Sequence, residues 1–122
     1  MKVIKQSHKI LAVYGGFEGI EAAGRTCYKS EDKITEGSAE KFAKMIRKRG
    51  HFAMSEFADL VVRFVTNRGV SHELVRHRMC SFAQESTRYV NYGGKPMEFI
   101  LPVWFPETML GDWTFDDLET LS

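Results

Sequence analysis

The sequence predicts an α/β (α+β) chain in which short β-rich runs are interleaved with amphipathic helices. Three observations carry that expectation. The opening segment MKVIKQSHKILAVY, residues 1–14, is rich in Val, Ile and Leu with partial alternation. Two later stretches, 17–28 and 38–49, repeat apolar residues at steps of three and four. DLVVRFVT (59–66) and MEFILPVWF (97–105) return to short runs of β-branched and aromatic residues. Periods of about 2 and about 3.6 residues distinguish the two element types. At 122 residues the chain has room for one modest core, so a single domain spanning 1–122 is expected.

Taken in order, residues 1–14 form an opening strand that Gly15 and Gly16 break. A helix then follows from Phe17 to Tyr28, with Phe17, Ile20, Ala23 and Cys27 as its apolar stripe. After the loop-like KSEDKITEGS, a second helix runs from Ser38 to Arg49 with Ala39, Phe42, Ala43 and Ile46 facing inward. Lys41, Lys44, Arg47 and Lys48 occupy its solvated face, and Gly50 stops it. Residues 59–66 form a strand and Asn67, Arg68 and Gly69 a turn. Ser71 is expected to cap a short helix over His72–His77. VNYGGKP reads as loop, 97–105 as a strand ended by Pro102, and Thr114 with Asp117 three positions on as a helix start.

Charge and cysteine usage exclude several functions. Seventeen Lys and Arg against sixteen Asp and Glu leave a formal charge of +1, too little for a global field that holds a polyanion, so no nucleic-acid partner is expected. Apolar runs fall far short of the ~20 residues that cross a bilayer, and the first residues lack a secretory core, so the expectation is a cytoplasmic protein without a membrane partner. Cys27 and Cys80 lack CxxC spacing and read as small buried apolar residues; neither a metal site nor a disulfide is expected.

Against this neutral background, RHRMCSFAQESTRY (76–89) concentrates four basic side chains, one acid and three hydroxyl groups besides the tyrosine's. Arginine offers planar, forked, permanently charged donors suited to phosphate and imide oxygens, so Arg76, Arg78 and Arg88 are candidate ligands for a nucleotide. Gln84 can donate and accept, Glu85 can accept from a ribose hydroxyl, and Ser86 and Thr87 can do either. Arg76, His77 and Arg78 cannot all converge from a regular helix or strand. A ligand wrapping a helix end, or several ligands or subunits meeting there, would resolve that geometry. The competing reading leaves the arginines solvated, with Glu85 paired to one of them.

The order of these residues resembles the signature of the flavin-dependent thymidylate synthases: Arg76-His77-Arg78, seven residues, Ser86, then Thr87-Arg88-Tyr89. GHFAMSEF (50–57), with His51 and Glu56, RTCYKS (25–30) and TNRGVSHELV (66–75) also resemble segments of that family, so the likeness covers nearly all of residues 1–105. Phe52 stands where the family usually has Glu, and Gln84 where it often has Glu.

The resemblance implies a thymidylate synthase-complementing-protein-like fold, a mixed sheet with flanking helices. It implies reductive methylation of dUMP to dTMP, with methylenetetrahydrofolate as one-carbon donor and NADPH as reductant acting through bound FAD. It implies a homotetramer with active sites where subunits meet. Carried over by position, Arg76, His77, Arg78, His51 and Gln84 would bind the flavin; Glu73, Arg76, Gln84, Ser86 and Arg88 would bind dUMP; Arg78 and Ser86 would take the catalytic roles. The chain is expected to be the N-terminal portion of a longer protein. Two alternatives stay open: a truncated, catalytically inactive nucleotide- or flavin-binding remnant, and a small RNA-binding module.

Overall fold

A computed structural model describes residues 1–120 of the chain. It mixes strands and helices in the order β1 (Lys2–Ile4), β2 (Ser7–Tyr14), α1 (Gly16–Cys27), α2 (Ser38–Lys48), β3 (Asp59–Val65), α3 (Arg68–Leu74), β4 (Glu98–Ile100), β5 (Gly111–Asp112) and α4 (Phe115–Glu119). Short 3-10 turns occupy Glu31–Lys33, Phe52–Phe57 and Glu107–Met109. No described helix is long and apolar enough to cross a membrane. Contacts divide the chain into two compact units, one of Lys9–Arg63 and one in which Met1–His8 joins the chain from Phe64 onward.

In the first unit α1 packs on α2. The stripe expected for α2 is the core: Ala39, Phe42, Ala43 and Ile46 are all buried, Ile46 at 1% exposure. Lys41, Lys44, Arg47 and Lys48 lie on the exposed side, with Lys44 ion-paired to Glu40 one turn away. The packing face of α1 differs from the expected one. Phe17 and Cys27 are exposed, whereas Glu21 and Gly24 are the buried positions, flanked by half-buried Ile20 and Ala23. The reason is close approach. A Cβ on Gly24 would lie 2.4 Å from Cε1 of Phe42, and one on Gly19 would lie 2.5 Å from the Phe57 carbonyl oxygen. Glycines on that face let the neighbouring elements in where a bulkier stripe would hold them away.

Glu21 tolerates burial because both carboxylate oxygens are bonded. Oε1 accepts from Nε and Nη2 of Arg25 at 3.2 Å, and Oε2 accepts from Ser38 Oγ at 2.7 Å. The Arg25 guanidinium also lies 4.5 Å over the Phe42 ring. The start of α2 is thereby tied to the middle of α1.

In the second unit β1 is the central strand of a mixed three-stranded sheet, parallel to β4 with Val3 opposite Phe99, and antiparallel to β5 with Val3 opposite Gly111. Leu101, just past β4, is buried, and its amide donates to the Ile4 carbonyl at 2.8 Å. Pro102 follows at once and β4 stops at Ile100, close to the stop expected at Pro102, because proline has no donor for the ladder.

The expected opening strand of residues 1–14 is two strands, β1 in that sheet and β2 paired with β3 in a separate ribbon. Ile10, Leu11, Val13 and Tyr14 on β2 and Leu60, Val61 and Phe64 on β3 are all exposed, so the ribbon shows apolar side chains on both faces, with Ala12, Val62 and Val65 half-buried. Both cysteines are exposed, contrary to the buried positions expected for them.

Candidate functional site

The signature segment begins where α3 ends, and α3 is set by its cap. Asn67, not the expected Ser71, caps the helix: its backbone is extended and its Oδ1 accepts from the Val70 amide at 3.0 Å. Asn is at least as good a cap as Ser, and standing four residues earlier it starts the helix at Arg68. Ser71 is left inside the helix, its hydroxyl donating to the Arg68 carbonyl at 3.1 Å. Amides of Arg76 and His77 then bond back three residues, to Glu73 and Leu74, which tightens and ends the last turn.

Arg76 to Tyr89 therefore lies in turns and irregular backbone, with no helix or strand to fan its side chains apart. This agrees with a site formed around a helix end. His77 Nδ1 lies 3.1 Å from the Leu74 carbonyl. A carbonyl only accepts, so Nδ1 carries the proton and Nε2 of the neutral ring is free to accept.

The segment is also tied sideways to α3, since Gln84 Nε2 donates to Ser71 Oγ at 3.2 Å. Half-buried Ser86 opens a turn closed by the Val90 amide on its carbonyl, and its Oγ accepts from the Arg88 amide at 3.2 Å. Since that bond uses a lone pair, the hydroxyl proton remains available to a ligand oxygen. Glu85 accepts a short hydrogen bond from the Tyr92 hydroxyl, which holds the phenol's pKa above its ordinary value.

The charges fall into two sets. Arg76 pairs with Glu73 across one helical turn, Nη1 to Oε1 3.5 Å, with both side chains mostly in solvent. Such a pair contributes little and opens easily to a competing anion. Arg78 and Arg88 have no acidic partner among the described residues. Seven of the eight candidate groups, Glu73, Arg76, His77, Arg78, Gln84, Ser86 and Arg88, thus lie in one unit.

His51 belongs to the other unit. Gly50, at φ +74°, ends α2: its amide bonds to the Arg47 carbonyl and the His51 amide to the Ile46 carbonyl. This cap fixes His51 at the start of the 52–57 turn, and Nδ1 of its exposed ring lies 2.9 Å from the Tyr28 hydroxyl. Sequence reasoning missed Tyr28, Ser71 and Tyr92 as supports. RTCYKS carries its tyrosine as one residue of a family-like segment, Ser71 reads as a helix cap, and nothing in VNYGGKP marks its tyrosine.

The donor set suits a phosphate-bearing ligand with imide oxygens: two unpaired guanidinium forks, a weakly held third, a hydroxyl proton and an imidazole acceptor. A cleft elsewhere, lined by Lys5, Gln6, Leu101, Phe105 and Glu107, offers much less, because Lys5 and Glu107 neutralise each other.

The family model for the thymidylate synthase complementing protein, Thy1, matches residues 9–119, further than the 1–105 span legible from the motifs. A flavin-dependent thymidylate synthase of Corynebacterium aurimucosum is 41% identical over 92 residues, covering 72% of this chain and 36% of the relative. Those of Mycolicibacterium vanbaalenii (41% over 80 residues; 62% and 32%) and Geobacter sulfurreducens (31% over 90 residues; 68% and 39%) are similar in the same way. The chain thus spans about a third of the length of these curated relatives. Because the family match takes in the α1–α2 unit, α3 and the whole signature segment, the chain belongs to the thymidylate synthase complementing protein family.

Proposed function

We propose that this chain supplies part of the flavin and nucleotide site of an enzyme that methylates dUMP to dTMP, taking the one-carbon unit from methylenetetrahydrofolate and reducing equivalents from NADPH. The observation that carries this reading is that Arg78 and Arg88 have no acidic partner among the described residues, while Ser86, bonded to the Arg88 amide, keeps its hydroxyl proton unspent. Arg88 and Ser86 bind the phosphate or sugar of dUMP, and Gln84 orients the base. Glu73 is a further substrate contact, once Arg76 turns from it to the ligand.

Arg76, His77, Arg78 and Gln84 are flavin contacts in this reading, and so is His51. The flavin, when bound, supplies the redox chemistry. Arg78 and Ser86 are the catalytic pair in this reading: Arg78 lowers the cost of negative charge that develops on the pyrimidine oxygens, and Ser86 fixes the nucleotide against it. No cysteine has a part in it.

The exposed apolar side chains support an assembly of several copies, a homotetramer in this reading. Met79 (96% exposed) and Tyr89 (85%) flank the charged residues, and the β2–β3 ribbon shows apolar side chains on both faces. Side chains of this kind are usually covered by a partner. The fold then is the mixed sheet with flanking helices of the family, completed outside this chain, in a protein of the cytoplasm.

The test is spectroscopic. Protein carrying this sequence should purify yellow, with the visible band of oxidised flavin, and dUMP should perturb that band. Colourless protein that responds to neither FAD nor dUMP would favour the inactive remnant, and salt-sensitive binding of oligonucleotides without dUMP binding would favour the RNA module.

A further inference from the structure

Glu85 is the single acid between Arg76 and Tyr89, three residues before Arg88 in a segment made of turns. At that separation a glutamate would be expected to pair with the arginine and compete with any anion the arginine binds. It does not pair: its carboxylate accepts from the Tyr92 hydroxyl, and Arg88 keeps its guanidinium free of acids among the described residues. We infer that Tyr92 is a positioning residue of the nucleotide site, holding the Glu85 carboxylate so that its negative charge stays off Arg88 and Arg78. The inference rests on the nucleotide reading above and assigns that site a specificity device.

The chemistry favours a phenol in this place. A lysine or arginine would hold Glu85 more strongly but would add a cation that itself attracts the ligand, at a point where it could misplace the phosphate. A neutral donor engages the carboxylate without adding charge. The Arg68 charge at the start of α3 also acts on the phenol, in the direction opposite to the larger effect of Glu85. The bond therefore joins the Gln84–Arg88 loop to the chain beyond Tyr89, while Gln84 and Ser71 join the same loop to α3. In this loop the Glu85 carboxylate is turned to an internal partner, while the Ser86 hydroxyl proton and the Arg88 guanidinium are left for a ligand.

A double-mutant cycle in the full chain tests this, with dUMP and inorganic phosphate as probes. If Tyr92 acts by restraining the acid, Tyr92→Phe weakens binding of both anions about 1.5- to fivefold, the range for release of one exposed competing charge. Glu85→Gln tightens binding or leaves it unweakened, and Glu85→Gln added to Tyr92→Phe restores the lost affinity. A role confined to loop shape predicts instead that both single changes weaken binding alike and the double change gives no rescue. That outcome, or an unaltered affinity in Tyr92→Phe, overturns the inference. Phosphate binding that obeys the cycle while dUMP fails to bind overturns the dUMP reading alone; binding of neither probe overturns both. As a check on the contact itself, the Tyr92 phenolate absorbance should appear at lower pH in Glu85→Gln than in the unaltered chain.

Discussion

The hydroxyl of Tyr28, the residue that ends α1, lies 2.9 Å from Nδ1 of His51, the residue just beyond the glycine that ends α2. Two helix ends are thus joined through the one candidate flavin ligand that lies in the α1–α2 unit. With the phenol donating, the proton of the neutral His51 ring sits on Nε2, which can then act as a donor. Tyr28→Phe removes that restraint. Because the pair is exposed, the loss of stability should be at or below about 1 kcal/mol. Flavin affinity should fall several-fold, measured by quenching of flavin fluorescence on titration. Unchanged affinity would separate His51 from the cofactor.

Glu21 gives a prediction about stability alone. Its carboxylate is 2% exposed and bonded on one oxygen by Arg25 and on the other by Ser38. Glu21→Ala leaves a largely buried guanidinium without its counter-charge, and removal of one partner of a buried pair costs about 3–5 kcal/mol. Glu21→Gln keeps the shape and an acceptor and should lose clearly less. Urea unfolding of both variants, with the slope unchanged, distinguishes the two costs.

Gly24→Ala reverses the usual sign of a helical glycine substitution. On an open helix face alanine gains roughly 0.5–1 kcal/mol over glycine. Here the new methyl would stand 2.4 and 2.6 Å from two atoms of the Phe42 ring, which is itself buried in the core. Overpacking of this kind costs about 1–3 kcal/mol, so a net loss is expected. Gly24→Ala combined with Phe42→Leu should recover part of it; a stabilised Gly24→Ala would contradict the packing described. Gly19→Ala meets a backbone oxygen instead, which no neighbouring substitution can relieve.

How far the sequence spoke depends on which force set each feature. The α2 stripe of Ala39, Phe42, Ala43 and Ile46 was legible because burial alone dictates it. The α1 face was misread because a hydrophobic period cannot register glycines chosen for close approach, nor an acid whose burial depends on Arg25 and a serine seventeen residues away. The end of β4 was legible because Pro102 has no donor for the ladder. At the candidate site, the identities from Arg76 to Arg88 were legible as chemistry. Their supports were not, since Ser71, Tyr28 and Tyr92 act through single long-range or loop hydrogen bonds that leave no periodic trace.

Arg88 separates charge from geometry. Its amide already bonds Ser86, so the turn persists when the side chain changes, while its guanidinium is held free of acids among the described residues. Arg88→Lys keeps the charge but loses the planar fork and should weaken dUMP binding about tenfold in the full chain; Arg88→Ala should weaken it further. Neither should shift the unfolding midpoint by more than about 0.5 kcal/mol, as expected of an exposed side chain. Equal affinity in the lysine variant would mean that only charge is read there.

The last turn offers a pH test. Asp117 accepts from the Thr114 hydroxyl at 2.6 Å and from the Thr114 amide at 2.7 Å, and its own amide donates to Thr114 Oγ1 at 3.3 Å, a reciprocal cap at the start of α4. Hydrogen bonding by the Thr114 side chain, then by its backbone, holds the Asp117 carboxyl below its ordinary pKa. A depressed folded value means the ionised form is the one favoured by folding. The cap's contribution is therefore fully present above the ordinary aspartate range and disappears as pH falls through the lower folded value. The Thr114 amide resonance followed by NMR should titrate with a midpoint below that of an unstructured aspartate. Thr114→Ala should raise the midpoint toward the ordinary value, since it removes the larger cause, and Asp117→Asn should abolish the transition. A midpoint at the ordinary value in the unaltered chain would show that the cap does not persist in solution.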